Sequence, residues 1–232
     1  MSLCKTIKYT IMKPAFAIPE VFSTSWIRTK EQIWILAGLQ ISFVILYCLL
    51  FILLESLRAG VVSIIIATLV NMLLYTLFEL GYYKNIFQAL DETEPQFSAY
   101  GKQAKKVFTY IVVTIISVVI LLVGLTLLIV PGVYMGLRLQ FAVAFIVEED
   151  AGIVESLKRS WNLTKGHTKS LFVLGLAMCG IVILGTLLLL VGLFVAMPLV
   201  YMMQCCSYRK LMEAHDSVGK ESDYNDNIND KL

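Results

Sequence analysis

Charge-free stretches set the pattern of this chain. No Asp, Glu, Lys or Arg occurs between Val107 and Leu137, and none between Leu171 and Tyr208. Each run exceeds the roughly 18 to 20 apolar residues that carry a helix across a bilayer. Three hydrophobic blocks emerge, near residues 33–83, 107–147 and 171–208. At about 1.5 Å of rise per residue, each is too long for one crossing and suits two. The first divides at Glu55-Ser56-Leu57-Arg58-Ala59-Gly60, the second at the breaker pair Pro131-Gly132, and the third between Val191 and Pro198. The pattern predicts an all-α membrane protein with six transmembrane helices, paired as three hairpins, at about 33–54, 61–83, 107–130, 132–147, 171–190 and 192–210. Residues 1–32 form an amphipathic cytoplasmic segment, 86–106 and 150–168 interfacial connectors, and 213–232 a disordered tail. Residues 1–30, with Pro14 and Pro19, lack the apolar core of a cleavable signal, so the first span reads as an uncleaved signal-anchor.

The basic residues orient these spans. All Lys and Arg except Arg58 and Arg138 fall before the first helix, in the even-numbered connectors or in the tail. The positive-inside rule then puts both termini in the cytoplasm and leaves only short connections outside. Composition agrees, with 58% hydrophobic residues, 16% charged and a mean hydropathy of +0.78. Membrane lipids are the partners this composition implies, with possible membrane-protein partners and no nucleic acid. The five cysteines show no metal-ligand spacing; Cys205-Cys206 stand at a span end, as buried small residues or as a lipidation point.

Projection at 100° per residue gives residues 153–164 an amphipathic form. Ile153, Val154, Leu157 and Trp161 gather on one face, and Glu155, Lys158, Arg159 and Asn162 on the other. Such a helix lies among headgroups or caps the bundle, and Ile153, Leu157, Lys158, Arg159 and Trp161 are its candidate lipid contacts. Leu3, Ile7 and Ile11 align similarly against Lys5, Lys8 and Lys13. A short repeat pairs Val123-Gly124-Leu125 and Pro131 with Val191-Gly192-Leu193 and Pro198, suggesting parallel repetition of a hairpin plus connector.

Residues 130–172, VPGVYMGLRLQFAVAFIVEEDAGIVESLKRSWNLTKGHTKSLF, resemble the signature of a bacterial membrane-protein superfamily. It includes the membrane domain of glycerophosphoryl diester phosphodiesterases and the YciC-like inner-membrane proteins. The shared pattern is a Pro-Gly turn, a short helix with a basic residue and an acidic end, then an amphipathic "alkrSw.lTkg" segment. It is met by Pro131, Gly132, Arg138, Glu149, Ser156, Leu157, Lys158, Arg159, Ser160, Trp161, Leu163, Thr164 and Gly166. The resemblance implies a fold and a bacterial inner membrane. It does not imply phosphodiesterase activity, because that soluble domain is not among these residues.

Candidate chemistry is sparse. His167 and His215 are the only histidines, and no phosphate loop or nucleophile motif occurs. The acid clusters Asp91-Glu92-Glu94 and Glu148-Glu149-Asp150 read as helix caps and dipole partners before they read as cation ligands. Neither an enzyme, a metal site nor a cofactor is expected. Polar residues inside the spans are Gln40, Asn71, Glu79, Arg138, Gln140 and Gln204. A charge at such depth costs about 2.5 to 3.5 kcal/mol, which makes Arg138, Asn71, Glu79, Gln140 and Gln204 the candidate ligand-binding set. Helical rise puts Arg138 about 9 Å and Glu79 about 27 Å from the outer turns, too far apart in depth to pair. Arg138 should then snorkel outward, to Glu55 or to carbonyls freed at the Pro-Gly break, or anchor a lipid headgroup. Gly132 and Gly136 form a G-x-x-x-G that allows close helix approach. The first function expected is a non-enzymatic organiser of lipids or partner proteins at the cytoplasmic face; the second is a transporter or lipid carrier.

Overall fold

A computed structural model describes residues 16–56, 60–188 and 192–229, with side chains followed through Ser217. Its described elements are helical: α1 (Ile18–Ser56), α2 (Val61–Leu90), α3 (Ser98–Gln103), a 3-10 turn at Ala104–Lys106, α4 (Val107–Leu127), α5 (Ile129–Leu139), α6 (Ala142–Glu149), α7 (Ile153–Leu163), α8 (Thr168–Leu187) and α9 (Leu193–Asn229). Five stretches are long and apolar enough to cross a membrane: α1, α2, the run Ser98–Leu127, the run Ile129–Glu149, and α8. The sixth expected span falls in α9. There Pro198, Gln204 and the onset of charge at Arg209 interrupt the apolar run early.

Several boundaries move for identifiable reasons. Helix α1 starts well before residue 33, and the expected junction survives as a kink at Gln32, with φ −121° and ψ 18°. Its first part buries Val21, Ser25 and Thr29 as α1 packs on α9. Residues 18–32 are thus continuous with the first span, while Leu3, Ile7 and Ile11, which carry the amphipathic face read in 1–32, lie outside the described residues. The second hairpin turns at Leu128, which is extended (φ −168°, ψ 149°), and not at Pro131-Gly132. Pro131 instead sits in the first turn of α5, where a missing N–H leaves no intrahelical bond unmade. At the other end, α9 continues helically through Asn229, across residues whose polarity reads as a disordered tail. Strong helix formers, among them Lys210, Leu211, Met212, Glu213 and Ala214, carry it out of the apolar run.

Glycine permits a close helix crossing in the second hairpin. A Cβ on Gly124 would stand 2.7 Å from Gly132 Cα, and one on Gly132 2.7 Å from the Leu125 backbone nitrogen. Gly136 meets only the Leu121 side chain, at 3.2 Å. The third hairpin repeats the device, since Gly185 and Gly192 meet with similar closeness. The equivalent pairs are thus Gly124 with Gly132 and Gly185 with Gly192. The short sequence repeat, which aligned Gly124 with Gly192, laid unlike positions together.

The buried core gathers at the charged end of the bundle, where α2, α6 and α9 meet. Tyr208 is its centre, with ring centroids 5.8 Å from Phe87, 6.0 Å from Phe141 and 5.1 Å from Phe145. Leu80, Ile86, Ile146 and Met202 close around it. Large apolar side chains elsewhere on α1, α2, α4 and α8 face outward, as they do on helices whose solvent is lipid. Cys205 and Cys206 are buried in the core, which removes them as a lipidation point.

Replacing Gly124 or Gly132 by Val should lower resistance to detergent-induced unfolding by about 1 to 3 kcal/mol, the range for overpacking. Gly136→Ala should cost clearly less, because a leucine methyl can give way where backbone cannot. Equal losses at all three positions would show that the crossing is not set by this contact.

Candidate functional site

The run Ile129–Glu149 is not one helix. It breaks at Gln140-Phe141, between α5 and α6. Inside a bundle a broken turn leaves a backbone N–H and C=O that must find other partners. Helix α7 supplies them. Ser160 Oγ accepts from the Phe141 N–H at 3.2 Å and donates to the Arg138 carbonyl at 2.9 Å. The single Thr164 hydroxyl proton has Ser160 O as its nearest acceptor at 2.8 Å, with the same Arg138 carbonyl at 3.3 Å. From α9, Gln204 Nε2 donates to the Gln140 carbonyl at 3.0 Å. One hydroxyl thus bridges both sides of the break.

This corrects the reading of α7. Its most buried positions are Ser156, Ser160, Leu163 and Thr164, a largely hydroxyl-bearing stripe with spacing i, i+4 and i+8. Ile153 and Leu157 sit at the edge of that face, half-buried and packed against the core. Arg159 is held by Glu149 and Glu155, with its guanidinium 4.7 Å from the Phe145 ring. Val154 (76% exposed), Trp161 (37% exposed) and Lys158 remain outward. The helix is opened by Glu155, whose Oε2 accepts from the Gly152 N–H at 3.5 Å, and is followed by Gly166 at φ 88°, a left-handed position suited to glycine. Asp150 does not cap α7. It ends α6 in the left-handed region at φ 54°. Burial holds the His167 imidazole below its ordinary range, favouring the neutral form at the start of α8.

Arg138 lies behind that same helix. It is 3% exposed, and its guanidinium carbon stands 4.5 Å from the Trp161 ring and 5.7 Å from the Tyr134 ring. The side chain stays against these two rings and does not run out to Glu55. Nε and one terminal nitrogen have no hydrogen-bond partner among the described residues. The snorkelling expectation failed because α7 folds back onto α5 and offers an aromatic face to the guanidinium. Cation–π contact is worth about 2 kcal/mol when desolvated, whereas removing an ion from water costs several.

The other candidates do not converge on Arg138. Glu79, 9% exposed, accepts a 2.7 Å hydrogen bond from Tyr201 Oη, and Tyr201 lies edge-on to Tyr82 and Tyr83. Gln204, one turn further along α9, turns to the helix break and not to Glu79. Asn71 Nδ2 donates to Ala67 O at 2.9 Å in its own helix and lines a small cleft with Tyr47, Thr68 and Glu55. The Gln140 side chain faces a separate cleft of about 260 Å³, with Thr114 and Ser117. Gln40 Oε1 has no hydrogen-bond partner among the described residues. The five polar residues read as one binding set do not share a site.

The acidic trio meets cations from four elements. Glu148 pairs with Lys84 at 3.2 Å and Arg209 at 3.4 Å, and Arg209 also reaches Asp91 at 3.0 Å. Glu149 binds Arg159 and accepts from Tyr208 Oη at 2.5 Å. Lys106 pairs with Asp150 and donates to Val147 O at 2.8 Å. Arg28 with Glu92, and Lys210 with Glu20, extend this rim to α1. Among the described residues no group of three His, Cys, Asp or Glu is arranged to hold a metal. Tyr201, Tyr208, Ser160 and Thr164 carry the polar contacts that the sequence reading missed. The hydroxyl spacing along α7 was the one signal that could have revealed part of it.

A protein family described as a domain of unknown function (DUF7847) matches residues 70–214, and the chain belongs to it. The matched segment runs from the middle of α2 into α9, and so includes the helix break, α7 and the acidic trio. Among similar proteins are uncharacterized protein Rv2560 of Mycobacterium tuberculosis (strain ATCC 25618 / H37Rv) and uncharacterized protein Mb2590 of Mycobacterium bovis. Each is 30% identical over 101 residues, which is 44% of this chain and 31% of the relative. The chain therefore spans about a third of the length of the bacterial relatives it matches. No solved structure matches.

Ser160→Ala removes the partner of two buried backbone groups at once. A loss of about 1 to 3 kcal/mol is expected in unfolding from mixed micelles, the range for an unmet buried hydrogen bond. Thr164→Val, which leaves Ser160 in place, should lose less. If Ser160→Ala unfolds like wild type, the hydroxyl is not what closes the break.

Proposed function

We propose, taking membership of this family as the premise, that the chain is a non-enzymatic integral membrane protein that organises lipids or partner proteins at the cytoplasmic face of a bacterial inner membrane. Both termini are cytoplasmic in this reading, and α9 provides a sixth, short span beside the five apolar stretches. The resemblance of residues 130–172 to the phosphodiesterase membrane domain and YciC-like proteins supports the same placement. The observation that carries the proposal is the division of labour on α7. Its hydroxyl stripe is spent inward on the helix break, while Val154, Trp161 and Lys158 face outward beside the charged rim. An apolar pair flanked by a cation suits the boundary between acyl chains and anionic headgroups.

A transporter is the second reading, favoured by one observation, the buried carboxyl of Glu79 against Tyr201. Against it, the intramembrane polar groups are scattered and several are satisfied locally, so among the described residues no file of sites crosses the bundle. A solute flux in proteoliposomes that vanishes in a folded Glu79→Gln protein would reverse the order.

The proposal has two direct measurements. An impermeant maleimide, applied from outside, should label Gly60→Cys and leave Ser217→Cys unlabelled; the opposite pattern overturns the orientation. With Trp26 and Trp34 replaced by Phe, lipids brominated near the headgroup should quench Trp161 more than lipids brominated near the chain end. Quenching at neither depth would mean that the outer face of α7 does not meet lipid.

A further inference from the structure

Where α5 passes α8 lies a groove of about 670 Å³. Its walls are almost wholly apolar, with Val133, Tyr134 and Leu137 on α5 and Phe172 on α8. Thr168 and Lys169, the first residues of α8, are the polar members of its lining. No acidic residue lines it.

Charge gives this groove a polarity that the outward faces of the bundle lack. Lys169 is exposed and makes no ion pair among the described residues. Behind the wall stands Arg138, next in sequence to Leu137 and in cation–π contact with Tyr134. Its charge is permanent, almost fully buried and without a counter-ion among the described residues. In a medium of low dielectric constant its field reaches further than that of an exposed lysine and is little screened by salt. An uncompensated buried cation beside an apolar slot is stabilised by whatever brings a negative charge into the slot.

We propose that this groove is a specific site for an anionic glycerophospholipid. One acyl chain lies along Val133, Leu137 and Phe172, and the phosphate is held by the Lys169 ammonium and the Thr168 hydroxyl in the field of Arg138. The inference rests on the membrane reading above but not on the role of α7 as an organising surface. It commits to a lipid occupant because an apolar slot with a cation and a hydroxyl among its lining matches the two parts of that molecule. A zwitterionic lipid fits the slot equally well but gains little from Arg138, so the site discriminates by headgroup charge.

The test is native mass spectrometry of the whole purified chain, released from micelles doped with equal amounts of phosphatidylglycerol and phosphatidylcholine of identical acyl chains. Wild type should retain one phosphatidylglycerol in preference to phosphatidylcholine. Lys169→Gln should reduce that preference about tenfold, the effect of losing one charge-assisted hydrogen bond worth about 1.5 kcal/mol. Arg138→Gln should reduce it as well, and Arg138→Lys should keep most of it. Val133→Trp fills the slot and should abolish retention of both lipids; Val173→Trp, on the opposite wall, does the same if the first variant does not fold. Equal retention of the two lipids by wild type would overturn the proposal. So would unchanged retention in a folded Val133→Trp protein, or a lipid-free dimer in which a second copy fills the groove. If the groove binds as stated while Trp161 escapes quenching, only the organising role of α7 is lost; the reverse result removes only this site.

Discussion

A backbone hydrogen-bond deficit organises this protein. The helix that begins at Ile129 breaks at Gln140-Phe141, and within a bundle the freed Phe141 N–H and Arg138 carbonyl cannot turn to water. Ser160 satisfies both, which requires α7 to lie against the break. Once α7 is there, Trp161 reaches the Arg138 guanidinium, Arg159 reaches Glu149, and the acidic trio becomes the hub of the charged rim. The position of an amphipathic connector thus follows from two unmet backbone groups.

The rim shows how a membrane bundle can be fastened where hydrophobic burial offers little. Lipid is as apolar as leucine, so helices within it gain little by hiding apolar surface from it. At the charged end, Tyr208 packs α9 against α2 and α6 while its hydroxyl meets Glu149. The ion pairs around it link α2, α6, α7 and α9 and the turns between them. Individually, exposed pairs contribute about 0 to 1 kcal/mol; partial burial and shared partners give a network more weight. Close glycine crossings fasten the opposite ends of the second and third hairpins. The candidate lipid groove lies between α5 and α8, and none of the rim's ion-paired residues lines it.

Much of the architecture was legible because it follows from transfer free energy. Charge-free runs identified the apolar stretches, and the kink at Gln32 stands where the first span was read to begin. The amphipathic segment after the acidic trio is a helix, Ile153–Leu163. Its inward face was misread because projection ranks residues by hydrophobicity, and Ser156, Ser160 and Thr164 score as neutral. Their role exists only relative to a break in another helix. For the same reason Arg138 was assigned a depth measured along a straight helix, although its environment is set by α7.

The sequence by itself determined where apolar stretches begin and end, that they are helical, and that most Lys and Arg fall in the segments flanking them. These are local properties, fixed by composition over a window of about twenty residues. The tertiary structure decided which polar residues meet. Glu79 finds Tyr201 across 122 positions, Gln204 finds Gln140 across 64, and Ser160 finds Arg138 across 22. Such pairs depend on the packing of whole helices, and a single hydroxyl carries no mark in the sequence of the distant carbonyl it will meet.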